Sequence, residues 1–85
     1  MTEMTLELAE LRPDVVVDAR RLLCPMPILK VEAGLRGLAA GQLLQVLATD
    51  PGISRDLPAW CKVSGHRFLG VHGQGRELSG FVQKG

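Results

Sequence analysis

Cys24 is the residue whose setting could do chemistry. It is followed by Pro25, Met26 and Pro27 and preceded, across Leu22 and Leu23, by Arg20 and Arg21. Before them, Val15-Val16-Val17 is a β-branched run that reads as a short buried strand. After them, Ile28, Val31, Leu35 and Leu38 fall at helical spacing. The thiol therefore stands where a strand gives way to a helix. Pro25 is tolerated in a first helical turn because the amide it removes has no intrahelical partner, and Pro27 shares that exemption. A thiol at a helix start meets the positive end of the dipole, and two arginines on an exposed linker add positive charge, so the thiolate is favoured. The pattern predicts Cys24 as an ionised nucleophile, stabilised by Arg20 and Arg21 and positioned by Pro25 and Pro27. The competing reading is a small buried hydrophobe beside a helix start. Against it, this boundary favours Ser, Thr, Asp or Asn, and a departure from the structural optimum marks function.

The other reactive side chains are fewer and less well placed. Cys61 sits mid-helix without a cation on its own face, which favours a core role over a redox role. His66 opens a strand and reads as structural, with proton donation near the thiol as its alternative. Cys24, Cys61, His66 and His72 supply ligand types for zinc, but their spacing lacks the paired loops of structural sites, so neither a metal nor a cofactor is expected. The sequence contains no CxxC, HExxH or phosphate-binding loop. A hydrolase would need a larger cleft than so small a domain readily provides.

The positioning elements can be read in turn. Pro13-Asp14 separates an acidic tail, residues 1–13, from a single domain over residues 14–85, since proline suits the edge of a strand. Helical spacing of Met4, Leu8 and Leu11 leaves a transient helix or a short docking helix open for the tail. A first helix is expected from Pro25 to Leu38, stopped by Ala39-Ala40-Gly41, with Gly34 and Gly37 allowing close approach to a sheet. Leu43 to Thr49 reads as a central strand parallel to the first. Asp50-Pro51-Gly52 is turn chemistry. Ser54 or Asp56 can cap the second helix, or it begins at Ile53 with Pro58 inside it. Ile53, Leu57, Trp60 and Cys61 point inward, and Gly65 ends the element. Arg67–His72 and Glu77–Lys84 then flank a Gly73-Gln74-Gly75-Arg76 hairpin loop. The order is βαβαββ, an α/β (α+β) two-layer sandwich with a mixed four-stranded sheet.

Composition sets the limits. The chain has 85 residues, two cysteines and a net charge of +1. That length allows one domain and an economical core. Near-neutral charge and few aromatics argue against direct nucleic-acid binding. Two cysteines are too few for a disulfide scaffold, and no apolar run approaches a membrane span. The acidic N-terminus is wrong for a signal peptide, so a reducing cytoplasm is expected.

Asp18-Ala19-Arg20-Arg21-Leu22-Leu23-Cys24-Pro25-Met26-Pro27 resembles the signature of the TusA/SirA-type sulfur carriers, small proteins with a Cys-Pro-x-Pro motif. The resemblance runs on through Gly41-Gln42-Leu43-Leu44-Gln45-Val46, Asp50, Asp56-Leu57-Pro58-Ala59-Trp60, Gly65-His66 and Phe81-Val82-Gln83-Lys84. It covers about Asp14 to Lys84. One position departs: the family commonly has glycine where this chain has Arg21, and arginine takes positive φ less cheaply. The resemblance implies both helices on one face of the sheet. The other face would then leave Phe68 or Phe81 in the open as a contact surface.

The implied activity is that of a sulfurtransferase-type carrier, working as a monomer through a persulfide on Cys24. Its donor would be a cysteine desulfurase or rhodanese-type protein. Its acceptor would be a further protein in tRNA thiolation, molybdenum-cofactor biosynthesis or oxidative sulfur metabolism. If the thiol is already ionised, no general base on this chain is required. Two alternatives stand beside it: a small regulatory or RNA-binding module, and a thiol redox enzyme pairing Cys24 with Cys61, which requires close approach of the two sulfurs.

Overall fold

The β-branched run does become a strand, and the helical spacing a helix. In the computed structural model, which describes residues 11–85, the elements are β1 (Val15–Ala19), α1 (Met26–Leu35), β2 (Leu43–Ala48), α2 (Ile53–Ser64), β3 (Arg67–Gln74) and β4 (Glu77–Gln83). This is the expected βαβαββ order. Most of the expected tail, residues 1–10, lies outside the described residues.

The four strands form one mixed sheet in the order β1-β2-β4-β3. β1 runs parallel to β2, with Val17 opposite Val46, and β4 pairs antiparallel with both β2 and β3. Side chains alternate across a strand, so register defines the faces. Val17, Val46 and Gly80 lie in one row, and Leu44 and Val82 in the next. Both helices pack on that face. A side chain at Gly34 of α1 would come within 2.8 Å of Leu44 and Val17, and one at Gly80 within 2.8 Å of Leu57 of α2. Val31, Leu35, Leu44, Val46, Ile53, Leu57, Cys61 and Val82 form the buried core between the two layers.

Several boundaries differ from expectation. α1 stops at Leu35, not Leu38, where the Lys84 ammonium donates to the Leu35 carbonyl at 2.7 Å. Gly41, at φ 93°, is not the helix stop but the entry to β2, its N–H donating to Lys84. Gly34 allows the close approach expected of it, whereas Gly37 faces open space. α2 begins at Ile53 and continues through Pro58; neither Ser54 nor Asp56 caps it, and Gly65 in the left-handed region closes it. β3 extends to Gln74, leaving Gly75-Arg76 as a two-residue turn.

The expected open aromatics are not open. Phe68 lies on the helix face and packs against the core. Phe81, on the opposite face by register, is 2% exposed and stacks on His72 with ring centroids 6.1 Å apart.

Candidate functional site

Cys24 lies exposed at the meeting of two helix starts. Pro25 is the N-cap of α1, not its first helical residue, and Met26 and buried Pro27 form the first turn. The Cys24–Pro25 peptide bond is cis. The gap beside the sulfur is lined by Pro27 and Ile28 from α1, Asp50 from the β2–α2 loop, and Ile53 and Asp56 from α2, and it is too narrow for a water-sized molecule.

Two carboxylates hold the cysteine. Its backbone N–H donates to Asp50 Oδ2 at 2.9 Å, and its S–H donates to Asp56 Oδ2 at 3.2 Å. Asp50 also accepts the Gly52 N–H at 3.0 Å through its other oxygen. These two backbone donors hold the Asp50 carboxyl below its ordinary range. One side chain therefore ties the thiol loop to the start of α2.

This environment reverses the expected ionisation of Cys24. The hydrogen bond to Asp56 raises the thiol pKa, followed by desolvation and the charges of Asp56 and Asp50; only Arg55 opposes them. A helix start also has little to offer this sulfur. Pro25 and Pro27 carry no N–H, the Met26 N–H donates to Leu23, and the Ile28 N–H donates to Pro25. The first-turn amides that could hold a thiolate are absent or occupied.

Arg20 is engaged elsewhere, and Arg21 is tied to Thr49 through its backbone. Arg20 makes paired 3.0 Å hydrogen bonds to Asp18 and reaches Glu77 at 3.7 Å. The hydrogen bonds from Arg20 hold the Asp18 carboxyl near 2, the side-chain bond contributing most. Arg21 adopts φ 70° and donates its N–H to Thr49 Oγ1 at 2.8 Å. The glycine-like loop conformation thus survives with an arginine in it. Both arginines line a separate cleft of about 510 Å³ with Asp18, Lys30, Thr49 and Glu77. The leading charges acting on the thiol are those of Asp56, Asp50 and Arg55.

The remaining candidates also find places. Cys61 is 1% exposed, and burial pushes its thiol up to about 11, so it is a core residue and a poor partner for an exposed Cys24. His66 follows the end of α2, whereas Cys24 meets its start. Its Nδ1 accepts the Gly85 N–H at 3.0 Å and its ring lies against Trp60, which leaves it no contact with the thiol. Sequence reading missed Asp50 and Asp56 as neighbours of the thiol and took them for turn and cap residues. It also missed an apolar rim. Leu23 is 74% exposed, and Met26 and Leu29 on α1 are nearly half exposed.

A family model described as Sulfurtransferase TusA matches residues 15–84. The chain belongs to the TusA family. It is 43% identical over 75 residues to each of two Bacillus subtilis proteins, YrkF and YrkI, covering 88% of this chain. It spans all of YrkI but only 40% of YrkF. The Sulfur carrier protein TusA of Pseudomonas putida GB-1 is 45% identical over 62 residues, covering 73% of this chain and 78% of that protein. A crystal structure of a SirA-like protein from Desulfitobacterium hafniense superposes with a TM-score of 0.68 at 20% identity, over 84% of this chain and 97% of that one. That likeness concerns the α+β fold. Among the described residues, no helix is long and apolar enough to cross a membrane.

Proposed function

We propose that this TusA-family chain is a sulfur carrier whose residues 14–85 act as one domain and whose Cys24 bears the sulfur. The observation that carries the reading is an exposed thiol at the joined starts of α1 and α2, with no room for a small molecule in the gap beside it among the described residues. Such a group meets other proteins, and the apolar rim of Leu23, Met26 and Leu29 is suited to being covered by one.

The transfer follows thiol–disulfide exchange. A donor protein presents a persulfide, R–S–SH. Cys24 loses its proton, and its sulfur forms a bond to the outer sulfur of the donor. The S–S bond of the donor breaks, its electron pair leaves on the inner sulfur, and the R–S⁻ so formed takes up the proton. The products are Cys24–S–SH and R–SH. No oxidant or reductant is consumed. A thiol of the acceptor protein then attacks the outer sulfur of Cys24–S–SH in the same way and regenerates Cys24.

In this reading the donor is a cysteine desulfurase or a rhodanese-type protein. The acceptor belongs to tRNA thiolation, molybdenum-cofactor assembly or sulfur oxidation, and the carrier works as a cytoplasmic monomer. Pro25 and Pro27 fix where α1 begins and keep Cys24 outside it. The test is intact mass after incubation with a cysteine desulfurase and cysteine. Addition of one sulfur supports the reading, and an unchanged mass contradicts it.

A further inference from the structure

The sulfur-transfer step needs a thiolate, yet the groups around Cys24 favour the thiol. From α2 come Asp56, 3.2 Å from the sulfur, and Arg55, whose Nε lies 3.5 Å from Asp56 Oδ1. From the β2–α2 loop comes Asp50, bound to the Cys24 N–H. The residues that α1 contributes to the gap, Pro27 and Ile28, are uncharged. Of the two cations before the motif in sequence, Arg20 is held by Asp18 and Glu77, and Arg21 lines the same separate cleft. Among the described residues, the cation that acts on the thiol is Arg55, and it is drawn to the same carboxylate that accepts the thiol proton.

We propose that Asp56 holds the Cys24 proton until a sulfur donor presents a cation against Asp56 and Asp50, so that the partner ionises the thiol. Asp56 is then a positioning residue that makes Cys24 selective. A small electrophile or oxidant arrives without a compensating charge and meets a neutral thiol, which is a poor nucleophile. A donor that covers Leu23, Met26 and Leu29 excludes water from the site and brings its own positive charge against the two carboxylates. In the lower dielectric of that interface the opposite charges act strongly. The Asp56 carboxylate turns to the incoming cation, and the S–H, released from its acceptor, passes its proton to the donor's inner sulfur as the S–S bond of the donor breaks. The exposed apolar rim is an observation independent of the acids, and it points to a macromolecule as the activating agent. This inference rests on the sulfur-carrier reading of Cys24.

The test pairs two rates measured on the full chain. The first is alkylation of Cys24 by iodoacetamide as a function of pH, for the parent, Asp56→Asn, Asp56→Glu and Asp50→Asn. The second is sulfur loading by a cysteine desulfurase with cysteine, at low and raised salt. Asp56→Asn is expected to lower the alkylation midpoint, each unit raising the thiolate fraction at neutral pH about tenfold. The same variant is expected to load more slowly, through a raised KM for the donor and a weaker salt dependence. Asp50→Asn should move both in the same directions by less, and Asp56→Glu should restore both toward the parent. An unchanged or higher alkylation midpoint in Asp56→Asn overturns the proposal. So does faster alkylation with undiminished loading, because the donor would then make no use of the carboxylate. If the parent takes no sulfur at all, the carrier reading fails, while the alkylation profiles still report on Asp56 separately.

Discussion

Asp50 accepts the backbone N–H of Cys24 at 2.9 Å across 26 positions of sequence, and its second oxygen accepts Gly52 N–H. The loop that carries the thiol and the loop that starts α2 are thereby fixed to one carboxylate. Both bonds favour the charged form of Asp50, so its pKa is lowered. The sign follows from linkage: a carboxyl lowered on folding stabilises the fold above its unfolded pKa, and this is lost as pH falls through the folded value.

Asp50→Ala is therefore expected to lower Tm at neutral pH and to flatten the acid side of the stability profile. Asp50→Asn, which keeps a carbonyl acceptor, should lose less. Thermal unfolding followed by circular dichroism from neutral pH downward checks this. A parent and an Asp50→Ala variant with parallel profiles would mean that the carboxylate does not secure the loop.

Gly34 and Gly37 should respond in opposite directions. A methyl at Gly34 meets Leu44 and Val17 at under 3 Å, within a packed layer. Gly34→Ala should cost about 1–3 kcal/mol through overpacking. Gly37 lies past the helix end in open space, and Gly37→Ala should stabilise by about 0.5 kcal/mol through the unfolded chain. Urea midpoints for the two variants decide it.

Much of this architecture was legible in the sequence. The Val15-Val16-Val17 run, the helical spacing from Ile28 and the αL glycine at Gly65 each act within a few residues. Most of the misses come from groups distant in sequence. α1 ends early where Lys84 reaches Leu35, and no local pattern contains that contact. Cys24 looked ionised because the reading counted a dipole and two neighbouring arginines. It left out Asp56, 32 positions away, and Asp18, which occupies Arg20. One warning was present in the motif itself. Pro25 and Pro27 remove the amides through which a helix start stabilises an anion.

Arg21 offers a test of that correction. Its left-handed backbone, φ 70°, is costly for a residue with a Cβ. Arg21→Gly is expected to raise stability by up to about 1 kcal/mol, with the gain in backbone fit partly offset by glycine's larger entropy in the unfolded chain. Alkylation of Cys24 should keep its pH midpoint, because Arg21 is not among the leading charges acting on the sulfur. A midpoint that rises on removing Arg21 would return this arginine to the thiol.

The central claim is that Cys24 bears the transferred sulfur. Its most direct measurement is intact mass of the parent, Cys24→Ser and Cys61→Ser after incubation with a cysteine desulfurase and cysteine, and again after treatment with a thiol reductant. The account predicts one added sulfur on the parent and on Cys61→Ser, removed by the reductant, and none on Cys24→Ser. Sulfur retained on Cys24→Ser, or lost only from Cys61→Ser, would contradict it.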